Sequence, residues 1–132
     1  KIINQKIENY KYIFINKNIH IDMILEDDEY FTNSIEIFLS SIIGNIISNI
    51  AFHASCNENA QIELYKQDEN IVAEFRNYYE NKDNNFNMGL EFCRKLALLT
   101  KINLKFSKTK ETVCVKLKIP ISKKLKRQIV NI

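Results

Sequence analysis

The chain has 132 residues, of which 45% are hydrophobic and 27% charged, and its formal net charge is +3. This length and composition fit one globular domain that can bury a core. The basic run at 123–127 lacks interleaved aromatic residues, so we expect a solvated tail and no nucleic-acid partner. The three cysteines and two histidines share no metal-ligand spacing, which argues against a zinc site.

The first third of the chain predicts a helical segment, a strand and a long helix. Residues 1–18 carry apolar side chains at roughly helical spacing, and residues 19–25 read as a strand. Asn33, followed three residues later by Glu36, has the pattern of a capping box. We therefore expect a long helix that begins at about Ser34 and ends in the segment 53–57.

The remainder predicts two strand pairs with a helix between them. The predicted strands are 60–65, 71–76, 102–106 and 113–119, the polar loop is 77–87, and the second helix begins near Met88 with Leu99 among its inward positions. Helices set between runs of antiparallel strands imply an α+β fold, a two-layer sandwich. Its sheet would be mixed but mostly antiparallel, with the helices on one face.

The most informative feature is a pair of asparagines, Asn45 and Asn49, in the middle of the long apolar helix. Their spacing of four residues places both amides on one helical face, and a buried amide without partners costs about 1–3 kcal/mol. No Lys, Arg, Asp or Glu occurs between Glu36 and Glu58, so this polar side is predicted to face a cleft. The alternative is a helix buried on most sides, whose asparagines satisfy each other or nearby backbone.

The asparagine pair, the segment 87–90 that opens the second helix, and the order of elements together resemble a known family. They are similar to the catalytic, ATP-binding domain of sensor histidine kinases, within the superfamily that includes the gyrase B, Hsp90 and MutL ATPase domains. The resemblance covers 19–120. It implies that 1–18 are the end of the helical dimerisation region and its linker, and that 121–132 form a basic tail.

The resemblance also implies a site for ATP and Mg²⁺. Asn45 would be the catalytic residue and the magnesium ligand, because a neutral amide oxygen can ligate a hard cation that bridges phosphate oxygens. The implied nucleotide-binding residues are Asn49, His53, Asn77, Asn87, Gly89, Leu90 and Thr112. For His53, a role at a helix end favoured by the macrodipole is an equal alternative.

Several positions depart from the family pattern. Of the glycines that let backbone N–H groups approach phosphates, Gly89 remains, whereas Asn85 and Asn87 occupy two other glycine positions. Tyr79 and Asn81 replace two more, and Phe52 stands where a lysine often contacts phosphate. These departures predict weakened nucleotide binding.

Three functions remain open at this level. The first is the catalytic domain of a two-component histidine kinase, with a helical phosphoacceptor domain in cis or trans, a response regulator and a homodimeric parent as partners. The second is a degenerate module that docks a response regulator or supports phosphotransfer without ATP. The third is a stand-alone kinase of the anti-sigma-factor type. The unpaired thiols predict a cytoplasmic domain, and the parent could be anchored in a membrane elsewhere.

Overall fold

The computed structural model describes residues 1–26, 30–32, 34–79, 88–121 and 130–132. The helices within these ranges are α1 (Ile2–Asn9), α2 (Lys11–Asn16), α3 (Glu36–His53) and α4 (Met88–Leu98). The strands are β1 (Ile21–Leu25), β2 (Phe31–Thr32), β3 (Ala60–Gln67), β4 (Asn70–Tyr78), β5 (Asn103–Lys108), β6 (Thr112–Pro120) and β7 (Val130–Asn131). The long helix, the second helix and both strand pairs lie close to their predicted bounds.

Five strands form one mixed sheet in the order β1-β3-β4-β6-β5. β1 runs parallel to β3, and α3 is the crossover that a parallel pair requires. The pairs β3–β4 and β5–β6 are antiparallel, as predicted, and β4 and β6 also pair antiparallel to join them into one sheet. The predicted fold class, an α+β sandwich with a mixed sheet, is confirmed.

α3 is the central helix of the domain. Its buried residues form an apolar stripe along one side of the helix, namely Leu39, Ile42, Ile43, Ile46, Ile47, Ile50 and Ala51. The helix is long and apolar enough to cross a membrane by length and composition alone. Its apolar side is instead covered by the rest of the domain, as in the core helix of a globular protein.

The sheet has one apolar and one polar face because side chains alternate along each strand. On β4, Ala73 and Phe75 belong to the core. Arg76, on the other face, donates hydrogen bonds to Glu63 at 3.1 Å and also to Glu74. Glu74 accepts in addition from the Tyr65 hydroxyl at 3.1 Å. The helices therefore lie on one side, and the opposite side is held by an ion-pair network.

The N-terminal segment is packed into the domain. Ile2, Ile3 and Phe14 are buried, and α1 and α2 both contact α3. The helical character of 1–18 is confirmed, although the segment forms two short helices. Its assignment to the end of a dimerisation region stays a prediction.

The last three residues are not a solvated tail. Val130 and Ile132 are buried, and β7 pairs with β2. The Ile3 N–H donates to the Ile132 carbonyl at 3.1 Å, and the Ile132 N–H donates to the Tyr30 carbonyl at 3.0 Å. The end of the segment assigned as a basic tail, 130–132, is thus held in the core by two apolar side chains. The basic run 123–127, for which we expected a solvated tail, lies outside the described residues.

Two details of the predicted helices are also corrected. α3 begins at Glu36 with Ile35 as its N-cap and without a side-chain capping hydrogen bond, while Asn33 lies outside the described residues. Leu99 is 71% exposed rather than inward. α4 ends at Leu98, so the helical periodicity that placed Leu99 inward no longer applies.

Two isoleucines of α3 allow a matched test of this packing. Ile43 is fully buried, whereas Ile37 is 69% exposed. We expect Ile43→Ala to lower the free energy of unfolding by about 2–5 kcal/mol, because it leaves a cavity in the core. Ile37→Ala should change it by less than about 0.5 kcal/mol. Urea denaturation measures both, and equal effects would contradict the burial of this face.

Candidate functional site

Asn45 lies on α3 with its amide bonded back to its own helix. Its Nδ2 donates to the carbonyl oxygen of Ser41 at 2.8 Å. None of the described residues pairs with its Oδ1. The backbone bond thus fixes the orientation of the amide and leaves its oxygen as an available acceptor or metal ligand.

Asn49 is one turn further along α3 and points into the interior. Its Nδ2 is buried and has no hydrogen-bond partner among the described residues. The side chain lines a small cavity of about 10 Å³, shared with Asn77 of β4 and Val113 of β6. A cavity of this size is just large enough for one water molecule. An unpaired buried donor is costly, so this position favours an additional partner.

Asn77 lines the same small cavity as Asn49. It lies near the end of β4, is 6% exposed, and donates from Nδ2 to the Tyr78 carbonyl at 2.9 Å. Its neighbour across the sheet is Val113. The helix layer and the sheet layer therefore each place one asparagine amide on the same cavity.

Thr112 is not brought to the Asn49 cavity. It pairs with Tyr78, and the alternation of β6 directs its side chain to the face opposite that of Val113. Its hydroxyl is 2.6 Å from the Thr109 hydroxyl. Thr112 and Asn77 instead share an open cavity of about 320 Å³, lined mainly by residues of the outer sheet face.

The structure gives less detail on the other residues predicted to bind nucleotide. His53 is the last residue of α3 and is half-buried. Gly89 and Leu90 lie in the first turn of α4, whereas Asn87 lies outside the described residues. α3 and α4 contact each other, so the start of α4 belongs to the same helical layer as the asparagine pair.

Two residues that replace family positions occupy space near the site. Tyr79 is buried, and its hydroxyl donates to the Thr109 carbonyl at 2.8 Å. Phe52 is 58% exposed, and its ring meets Tyr10 edge-on with 6.0 Å between the centroids. The side chain of Tyr79 is therefore held in the interior just beyond the end of β4.

Sequence reasoning missed a contact between α1 and α3 next to Asn45. The side chain of Lys6 crosses α3 at Gly44, where a Cβ atom would lie 3.3 Å from Lys6 Cε and 3.5 Å from Lys6 Nζ. A glycine inside a helix costs about 1 kcal/mol relative to alanine and often has a packing reason. Gly44 was the available signal, but nothing in the sequence indicated its partner.

Cys93 holds α4 against α3 close to the asparagines. Its thiol is fully buried and donates to the Ile42 carbonyl, with 3.7 Å between sulfur and oxygen. Burial raises the pKa of the Cys93 thiol to about 11. The thiol is therefore protonated and unreactive at neutral pH, which fits a structural role.

The chemistry of these residues can be compared with what ATP and Mg²⁺ need. The available oxygen of Asn45 fits a magnesium ion that draws its other ligands from phosphates and water. The orphaned Asn49 amide and the oxygen of Asn77 fit a polar ligand between the layers. The cavity they share is far smaller than a purine base, so binding of the base requires it to open.

Comparisons with known proteins identify the fold. The catalytic domain of histidine kinase ThkA superposes with a TM-score of 0.79 at 12% identity, covering 91% of each chain. The cytoplasmic segment of histidine kinase QseC gives 0.71 at 11% identity, over 92% of this chain and 74% of that one. ThkA in complex with the response regulator TrrA gives 0.74 at 14% identity, over 92% and 40%. No family model and no curated protein matches the sequence.

The chain therefore has the fold of the catalytic domain of sensor histidine kinases. At identities of 11–14% the likeness concerns the fold alone. The roles of individual residues must come from the geometry of this chain.

The unpaired Nδ2 of Asn49 is predicted to lower the free energy of unfolding while it serves ligand binding. We expect Asn49→Leu to raise the free energy of unfolding by about 1 kcal/mol, because it removes an unpaired buried donor at similar volume. Asn45→Leu is the matched control on the same helix. It should give no such gain, since it removes an amide that is already bonded to Ser41. Urea denaturation of both variants measures this, and a clear loss of stability in Asn49→Leu would contradict it.

The buried thiol of Cys93 predicts a pH dependence. A free thiol has a pKa of about 8.5, and the folded value is about 11. Between these values the unfolded chain loses a proton that the folded chain keeps, so the stability contributed by Cys93 falls as pH rises. We expect the midpoint of urea denaturation to fall more steeply from pH 8 to 10.5 in the wild type than in Cys93→Ala. Parallel profiles would show that Cys93 titrates normally.

Proposed function

We propose that this chain is the ATP-binding catalytic domain of a two-component sensor histidine kinase. It binds Mg-ATP and donates the γ-phosphate to a histidine on a helical dimerisation and phosphoacceptor domain. The observation that carries the proposal is the unpartnered amide of Asn49, buried beside Asn77 at the junction of the helix and sheet layers. A histidine kinase fold built around such an amide favours a polar ligand at that place.

The proposal gives each residue of the site a role. Asn45 presents an amide oxygen to the magnesium ion without adding negative charge beside a triphosphate. Asn49 and Asn77 hold the nucleotide by hydrogen bonds between the layers. Gly89 and Leu90, in the first turn of α4, belong to the helix terminus whose N–H groups face the phosphates. When bound, magnesium neutralises charge on the phosphates.

The phosphate acceptor lies on another domain. His20 precedes β1 and is 3.2 Å from the Asp22 carboxylate, while His53 ends the buried helix α3. Neither side chain is presented on an exposed helix face. We therefore place the acceptor histidine on a helical domain supplied in cis or trans, and a response regulator downstream, as the ThkA–TrrA complex suggests. The parent is then a homodimer with this domain in the cytoplasm.

The size of the inner cavity favours a second candidate function. Its volume of about 10 Å³ is too small for a base in this conformation. A kinase-like module that has lost ATP could still dock a response regulator or support phosphotransfer. This candidate differs from the first in one measurable respect, because its binding to a regulator does not depend on nucleotide.

Titration calorimetry with a non-hydrolysable ATP analogue, with and without Mg²⁺, separates the two candidates. We expect magnesium-dependent binding that Asn45→Ala weakens at least about tenfold, since it removes the proposed metal ligand. Asn103→Ala is the control, because Asn103 is exposed on β5 at the far edge of the sheet. It should bind as the wild type does.

Transfer of the γ-phosphate to a separately supplied helical phosphoacceptor domain tests the proposed reaction. Asn45→Ala should reduce phosphorylation of that domain in proportion to the lost binding, while Asn103→Ala should not. Absence of heat at millimolar analogue, with the protein shown to be folded by circular dichroism, would overturn the kinase assignment. Nucleotide-independent binding of a response regulator would then support the docking module.

A further inference from the structure

The polar side of α3 carries no charge of its own where phosphates would lie. From residue 37 to residue 52 the helix contains no Lys, Arg, Asp or Glu. A magnesium triphosphate retains about two negative charges, and their burial against an uncharged helix is costly without a cation. A cation for this site must therefore come from a neighbouring element.

Lys6 of α1 lies beside this part of α3. Its stem lies along Gly44, the residue next to Asn45, with Nζ 3.5 Å from the place of a Gly44 Cβ atom. The side chain is half-buried, and its ammonium has no ion-pair or hydrogen-bond partner among the described residues. An ammonium without an anion at the side of this helix is available to donate charge-assisted hydrogen bonds to a phosphate.

Lys17, which follows α2, also reaches α3, but its ammonium already has a hydrogen-bond partner. Lys17 donates from Nζ to the Ala51 carbonyl at 3.0 Å, at the C-terminal end of the helix. Lys11 points away and is paired with Glu8 at 2.7 Å. Among these three lysines, Lys6 alone combines contact with α3 at Gly44, the residue before Asn45, with an uncommitted charge.

A purely structural role for Lys6 predicts something different. A lysine stem laid across a glycine can serve only to cover apolar surface while its ammonium stays in water. In that case the charge is dispensable and methionine replaces lysine without effect on any ligand. The two roles therefore differ in what removal of the charge does to phosphate binding.

We propose that Lys6 binds the phosphates of the nucleotide held by Asn45 and Asn49, across the helix–helix contact at Gly44. This inference rests on the proposed function and adds an N-terminal residue to the site. It assigns α1 a direct part in ligand binding. The absent side chain at Gly44 is then what allows the ammonium to approach the asparagine face.

The test measures binding of the Mg²⁺ complex of a non-hydrolysable ATP analogue, and of adenosine, to the whole chain. We expect Lys6→Met to raise the Kd for the analogue about tenfold, the loss typical of one charge-assisted hydrogen bond, and to leave the Kd for adenosine unchanged. The dependence of log Kd on salt should also become shallower. Lys11→Met is the control and should bind both ligands as the wild type does.

A second variant tests the geometry without removing the charge. Gly44→Ala places a methyl group 3.3 Å from Lys6 Cε, which displaces the stem, while the helix gains up to about 1 kcal/mol of propensity. This variant should fold and yet bind the analogue more weakly than the wild type does. Its effect should vanish in the Lys6→Met background, because both changes act on one ammonium.

The outcomes distinguish this inference from the proposed function. Tight wild-type binding that is unchanged in Lys6→Met, or an equal loss for adenosine and analogue, would overturn the role of Lys6 and leave the kinase assignment standing. Absence of any wild-type binding would overturn both. A loss confined to the phosphorylated ligand, together with a non-additive Gly44→Ala effect, would support the inference.

Discussion

Burial of α3 between the sheet and the other helices is the constraint on which the rest of the structure depends. Seven of its residues have to face the core, and this fixes the rotation of the helix about its axis. Asn45 and Asn49 then have no freedom in where they point. One amide is bonded to its own helix near the surface, and the other is directed at the sheet. Burial of the apolar stripe therefore also determines where the side chains of Asn45 and Asn49 point.

The same constraint explains a conflict at the layer junction. Hydrophobic packing brings Phe75, Val113 and Val115 close to Asn49, and its Nδ2 has no partner in the part of the chain that the structure describes. A protein selected for stability alone would place an aliphatic side chain there. Retention of a polar group that packing cannot satisfy is typical of a functional position. The small cavity beside it shows how closely the helix layer and the sheet layer pack at this point.

Much of the fold could be predicted because its signals are local. The period-two alternation of β3 and β4 and the apolar stripe of α3 each determine one element. The parallel pairing of β1 with β3 and the short pair β2–β7 could not be predicted, since they depend on contacts between residues far apart in sequence. Leu99 was misplaced because a helical period does not reveal where the helix ends.

The candidate site was predicted less completely, for a physical reason. Asn45 and Asn49 could be named because amides in an apolar helix stand out in a sequence, whereas Asn77 was named through the resemblance. Thr112 was placed with them by resemblance, yet the pleat of β6 directs it to the opposite face. Lys6 could not be found at all, because a lysine in a short amphipathic helix carries no signal of what it crosses.

The short segment at the C-terminal end of the sequence gives the domain a mechanical property. Hydrogen bonds connect Ile3 to Ile132, Ile132 to Tyr30, and the Tyr30 hydroxyl to the Leu64 carbonyl of β3. These hydrogen bonds connect α1 to the sheet, so a rotation of α1 is expected to be transmitted to the sheet. The first helix and the sheet would rotate together as one rigid body, carrying Lys6 and the asparagine face with them.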